Sequence, residues 1–135
     1  MIGEMVGELS GKVIGQRIVH HYHGGPLKIE RTMEEKGKIL GNEVTLLATF
    51  VSWERPKGGM ASKGHGVLML KNGEKAELRG AGISVRPKGK GWSMRGARYL
   101  QTGSAALKKL NDVVLVFEIE IDPDGTTHDK WWEWK

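Results

Sequence analysis

Between Asp112 and Ile121 every second residue is apolar: Val113, Leu115, Phe117, Ile119 and Ile121 share one face, and Val114, Val116, Glu118 and Glu120 the other. A period of two is that of a β-strand, and one apolar face means that the strand covers a core on one side. Strand-like runs recur along the whole chain, each closed by turn residues. Lys12–Tyr22 ends at Gly24-Gly25-Pro26, and Leu27–Lys36 is followed by Gly41-Asn42. Asn42–Glu54 runs into Arg55-Pro56-Lys57-Gly58-Gly59, and Met60–Lys71 meets Glu74–Arg86 at Asn72-Gly73, a strong hairpin signal. Trp92–Gln101 follows Pro87-Lys88-Gly89-Lys90-Gly91, and Asp122-Pro123-Asp124-Gly125 turns the chain into Thr126–Trp134.

Eight long strands joined by hairpins predict an all-β fold, an eight-stranded antiparallel up-and-down barrel of the calycin kind, because closure removes exposed sheet edges. A two-sheet sandwich is the alternative. The short segment Ser104–Leu110 is the one helical candidate, with Thr102 or Ser104 as its cap. The repeat Gly3, Gly7, Gly11, Gly15 is broken by Glu4, Glu8 and Lys12 and reads as an irregular lead-in to the first strand. Leu46, Leu68, Leu70, Leu78, Leu115, Phe117 and Ile119 are the expected core.

The length of 135 residues fits a single domain over 1–135. With 20 glycines the chain has twice the usual share of about 7%, spread evenly, as tightly curved strands require. It has no cysteine, which removes disulfides and thiolate chemistry and fits a cytoplasmic protein. No apolar run has the length of a membrane span and no signal-peptide pattern is present, so no membrane partner is expected. Residues 55–98 hold 11 Lys/Arg against 2 Asp/Glu, whereas residues 111–135 hold 2 against 7. That asymmetry suits pairing within the fold or between subunits, or attraction of anions.

Three segments together, GHGVLMLKNGEKAELRGAG (64–82), RGARYLQTGSAALKKLN (95–111) and VVLVFEIEIDPDGTTHDKWWEWK (113–135), resemble a family of small uncharacterised prokaryotic proteins predicted to form barrels like that of allene oxide cyclase. The resemblance covers about the last two-thirds of the chain. It implies the barrel and supplies no catalytic residues.

Candidate chemistry is sparse. His21 and His23 share a strand face and could hold a metal with a third ligand such as His65, His128 or a carboxylate; solvated histidines at a strand end are the plainer reading. Glu118 with Glu120, and Glu30 with Glu34, are same-face carboxylates of the sort that do acid/base work, although a solvated face or pairing with Arg79, Arg95 or Arg98 accounts for them more simply. Trp132 and Trp134 fall on one face of the last strand and Trp131 on the other. With Trp92 and Tyr99, Trp132 and Trp134 are the candidate lining of a ligand site. The Gly-x-Gly repeats lack the context of a nucleotide loop and read as strand kinks. The basic stretch 86–91 beside Trp92 is a charged loop with no nucleic-acid motif, so nucleic acid is not the expected partner.

Three functions follow. The first is a barrel that binds a small apolar or amphipathic molecule without a cofactor, or serves as an oligomeric structural protein. The second is an enzyme with a barrel-end site, metal-dependent through His21 and His23 or isomerase- or cyclase-like. The third is a binder of nucleic acid or other anions through its basic residues.

Overall fold

The computed structural model describes residues 1–20, 25, 27–86 and 91–135. They form a closed barrel of eight strands: β1 (Ile2–His20), β2 (Lys28–Ile39), β3 (Asn42–Glu54), β4 (Met60–Leu70), β5 (Lys75–Val85), β6 (Trp92–Thr102), β7 (Leu115–Ile121) and β8 (Thr126–Trp134). Each strand pairs antiparallel with the next, and β8 closes on β1. The expected up-and-down barrel is the fold. Among the described residues no helix is long and apolar enough to cross a membrane.

Three local expectations are corrected. First, β1 starts at Ile2, ten residues before the predicted strand. Gly7 and Gly11 are paired strand residues, in register with Ile39 and Glu35 of β2. A Cβ on Gly11 would overlap the Glu34 carbonyl oxygen, and one on Gly7 the Lys38 carbonyl oxygen. The glycine repeat therefore allows close strand approach rather than marking irregular chain. Gly11→Ala is expected to cost about 1–3 kcal/mol in urea denaturation. Gly15→Ala, whose Cβ would meet nothing within 4 Å, should stay within about 0.5 kcal/mol of the parent. Equal effects of the two would refute this account.

Second, the helix expected at Ser104–Leu110 is a single 3-10 turn, Lys108–Leu110. Asn111 clamps the segment before it can continue: its Oδ1 accepts from the Thr102 N–H at 2.8 Å and its amide donates to the Thr102 carbonyl at 3.0 Å. Leu107 and Leu110, one turn apart, are driven into the barrel and plug this end.

Third, the hairpin expected at Asn72-Gly73 forms between β4 and β5, but not with the two-residue turn of positive φ at both positions that Asn-Gly favours, which lies instead at Leu40-Gly41 (51° and 77°). At Asn72-Gly73 only Gly73 is positive. There a Gly73 N–H to Leu70 carbonyl bond closes a three-residue loop, and the same pattern recurs at Asp122–Gly125.

The seven expected core residues are all buried, together with Val44, Phe50, Met94, Leu100 and Trp131. Facing them across the barrel, Gly64 pairs with Gly80 and Gly82 with Gly96, so part of the inner wall carries no side chains. An eight-stranded barrel has room for little more than one layer of side chains, and bare wall makes space for large ones opposite. The end carrying the turns at 55–59 and 122–125 has no such plug among the described residues and forms the mouth.

Candidate functional site

Strand alternation sends unusual residues inward. β2 presents Arg31, Met33, Glu35 and Ile39; β6 presents Met94, Arg98 and Leu100; β8 presents Thr127, Asp129 and Trp131. Gly11 lies in register with both Glu35 and Thr127. Because it has no side chain, its neighbours meet across β1, where the Thr127 hydroxyl donates to Glu35 Oε2 at 2.6 Å. Arg98 Nη1 donates to both Asp129 oxygens, at 3.2 and 3.0 Å. Its guanidinium lies 3.8 Å from the Phe117 ring centre and 4.7 Å from that of Trp131. Aromatic faces stabilise a desolvated cation that water no longer reaches.

Burial, and then the nearby Asp129 carboxylate, push the Glu35 carboxyl up to about 9 against the opposing pull of Thr127 and Arg98. Glu35 is thus protonated at neutral pH. Its Oε1 has no hydrogen-bond partner when both acids are ionised. Once protonated, Glu35 has a hydrogen to donate to Asp129. The cluster then holds one cation, one anion and one neutral acid, a balance that low-dielectric burial favours. Glu35, Asp129 and Thr127 are essentially sealed from solvent, so the cluster braces the barrel and does not face a substrate.

Beside Arg98 lies a partly open void of ≈ 50 Å³ lined by Met33, Leu78, Arg98 and Phe117, which reaches Lys63 and His65 of the outer wall past Gly64, Gly80 and Gly82. Phe50 and Met94 line both this void and the mouth, and form the partition between them. The mouth encloses ≈ 570 Å³, within the usual range of small-ligand sites. Apolar Met60, Ile121 and Trp92 line it together with Gln16, Arg31, Ser52, Ser84 and Arg86. Arg31 sits between Gln16 of β1 and Phe50 of β3 in register. It is half-buried, and burial lowers its pKa from the ordinary value. No carboxylate pairs with it among the described residues. Arg86 stacks on Trp92, 4.8 Å from the ring centre.

Of the four residues expected to line a ligand site, Trp92 is at the mouth. Trp132 is half-buried on the outer wall, and Trp134 and Tyr99 stand 57% and 55% exposed there. Their faces follow from alternation: Trp131 takes the interior position, which puts Trp132 outside. His21 and His23 lie outside the described residues. Among the described residues no cluster of three His, Asp or Glu side chains could hold a metal. His65 is on the outer wall, and His128 bonds Asp122 at 3.2 Å. The same-face carboxylates are outside as well: Glu118 faces Arg95 at 3.7 Å, Glu30 holds Arg17 at 2.9 Å, and Glu120 accepts from Ser93. The basic residues are scattered, with Arg98 inside, Arg86 at the mouth, Lys63 and Arg79 on the outer wall, and Lys71 on Glu43.

These features define a small closed barrel with a charged interior and, among the described residues, an open, amphipathic mouth. No protein-family model matches the sequence, and neither does any curated protein sequence. Solved structures match the fold. A protein of unknown function from Clostridium acetobutylicum superposes with a TM-score of 0.82 at 14% identity, over 98% of each chain. A conserved protein of unknown function from Rhodopseudomonas palustris gives 0.80 at 13%, over 99% of each. An enzyme from Penicillium herquei gives 0.69 at 14%, over 97% of this chain and 92% of that one. At such identities the likeness concerns the fold alone.

Proposed function

We propose that the protein binds a small amphipathic anion, such as a medium-chain carboxylate, in the mouth of the barrel. The observation that carries this reading is Arg31, a half-buried guanidinium with no carboxylate partner among the described residues, set in a cavity of ≈ 570 Å³ with apolar walls. A desolvated cation gains most from an anion that brings its own apolar body, because the body's burial against Phe50, Met60 and Met94 offsets the cost of drying the charge. Ser52 and Ser84 also line the mouth, the Ser52 hydroxyl bonded to that of Ser62 at 2.6 Å. Asp122, the acid in the lining, is occupied by His128. In this reading the barrel is of the allene oxide cyclase-like kind, and no catalytic residue follows from that likeness.

Calorimetric titration with decanoate and with decanol tests it. Decanoate should bind saturably and decanol more weakly, and Arg31→Gln should weaken decanoate about tenfold while leaving decanol unchanged. No saturable decanoate binding, or equal affinity in Arg31→Gln, would reject the reading.

A further inference from the structure

β1 is the longest strand, 19 residues against 7 in β7, and it outruns the barrel. Its ladder with β8 ends at the Lys12–Thr126 pair, so among the described residues 14–20 join the sheet through β2 alone. Together with the first residues of β2, which pair with Phe50–Trp53 of β3, they form an overhang beside the mouth. No register shift falls between Gln16 and Ile18, so alternation carries the inward face from Gln16 to Ile18, and on β2 from Arg31 to Ile29. Gln16 and Arg31 line the mouth. Ile18 pairs with Ile29, and Ile29 pairs with Ser52, another residue of the lining. On the opposite face Arg17 and Glu30 form their 2.9 Å ion pair. The overhang is thus amphipathic, with its apolar face turned towards the mouth. That face is uncovered: Ile18 is 67% exposed and Ile29 half-buried.

The inner face of β2 reads Ile29, Arg31, Met33 from the rim downwards. Below Arg31 the interior is occupied: Met33 is 3% exposed, and Phe50 and Met94 separate the mouth from a void of only ≈ 50 Å³. Above it stand the two uncovered isoleucines. A chain held at Arg31 by its carboxylate therefore runs outward rather than into the barrel, and each methylene laid on Ile29 and Ile18 removes apolar surface from water on both sides. We propose that Ile18 and Ile29 are the tail-binding flank of the mouth, and that they select a long single-chain carboxylate over a compact acid. This rests on the mouth as the site of an amphipathic anion, and adds the direction of its tail and the residues that measure its length. A compact acid can meet Arg31 but gains nothing from the overhang.

Calorimetric titration with the straight-chain acids from octanoate to tetradecanoate, each below its micelle concentration, tests it. A fully buried methylene raises affinity about fourfold, and one lying on an open flank about twofold. The parent should gain about twofold per methylene through tetradecanoate. In Ile18→Asn the gain should stop near decanoate. Ile83→Asn removes another exposed isoleucine, on the outer wall of β5, and should keep the parent's slope. Far-UV circular dichroism checks that both variants fold. A parent whose affinity levels off at decanoate, or equal slopes in the parent and Ile18→Asn, would overturn the flank and leave the mouth as an anion site. A slope lost equally in Ile83→Asn would overturn it too, by showing that the gain is not local to the overhang. Absence of binding at every chain length would remove the flank and the anion site together.

Discussion

Replacing Arg98 with Met is expected to destabilise the barrel by about 3–5 kcal/mol, the typical cost of breaking a buried ion pair from one side. Met keeps most of the volume between Phe117 and Trp131, so the loss is mainly electrostatic. Asp129, 1% exposed, must then carry an unpaired charge in the interior or take up a proton. The double variant Arg98→Met with Asp129→Leu removes both charges and should recover most of that loss, since an apolar pair of similar size often does as well as the ions it replaces. Arg98→Lys should fall between, because an ammonium keeps the charge but loses the flat group held between the two rings. Urea denaturation followed by circular dichroism measures all three. A loss below about 1 kcal/mol for Arg98→Met would show that water reaches Asp129 and that the cluster does not brace the fold.

The barrel was legible because its strands are long and their turns are written in glycine, proline and asparagine. Leu115, Phe117 and Ile119 announce an inner face by alternation alone, and the structure buries all three. The polar interior was legible in the same code and is easily passed over. Alternation through Ile29, Arg31 and Met33 continues to Glu35, and that of Thr127 continues through Asp129 to Trp131. Hydrophobicity is the usual label of the inner face, so a glutamate and an aspartate at inner positions draw the eye outward, towards Glu118 and Glu120. What no pattern on a single strand reveals is that Gly11, Glu35 and Thr127 are neighbours on three strands, since register between distant strands fixes it. Alternation likewise puts Trp131 and Trp132 on opposite faces, but which face is inside depends on the partners of β8, Phe117 and Val116 of β7. The mouth combines side chains from most of the strands around the barrel, and what Arg31 faces there is fixed by its register with Gln16 and Phe50, which its own strand does not reveal.

The stability of the protein should fall as pH rises, and Glu35 is the reason. Its carboxyl titrates near 4.5 in an unfolded chain and at about 9 in the barrel. Between those values the folded state holds a proton that the unfolded state lacks, so each step up in pH favours unfolding. The contribution is complete below 4.5 and is lost as pH passes through about 9, a change on the order of several kcal/mol. The groups that face Glu35 are consistent with this direction. Asp129 and Thr127 approach from β8 and Arg98 from β6, while β1 offers the bare Gly11 and β3 the apolar Leu46. Glu35→Gln supplies a permanent N–H for Asp129 and a carbonyl for Thr127 with nothing left to ionise. Thermal melts of the two proteins should therefore lie close together in mild acid and separate towards pH 9, the variant melting higher. A parent whose Tm stays flat over that window would mean that Glu35 is ionised in the fold, and that Arg98 balances two carboxylates instead of one.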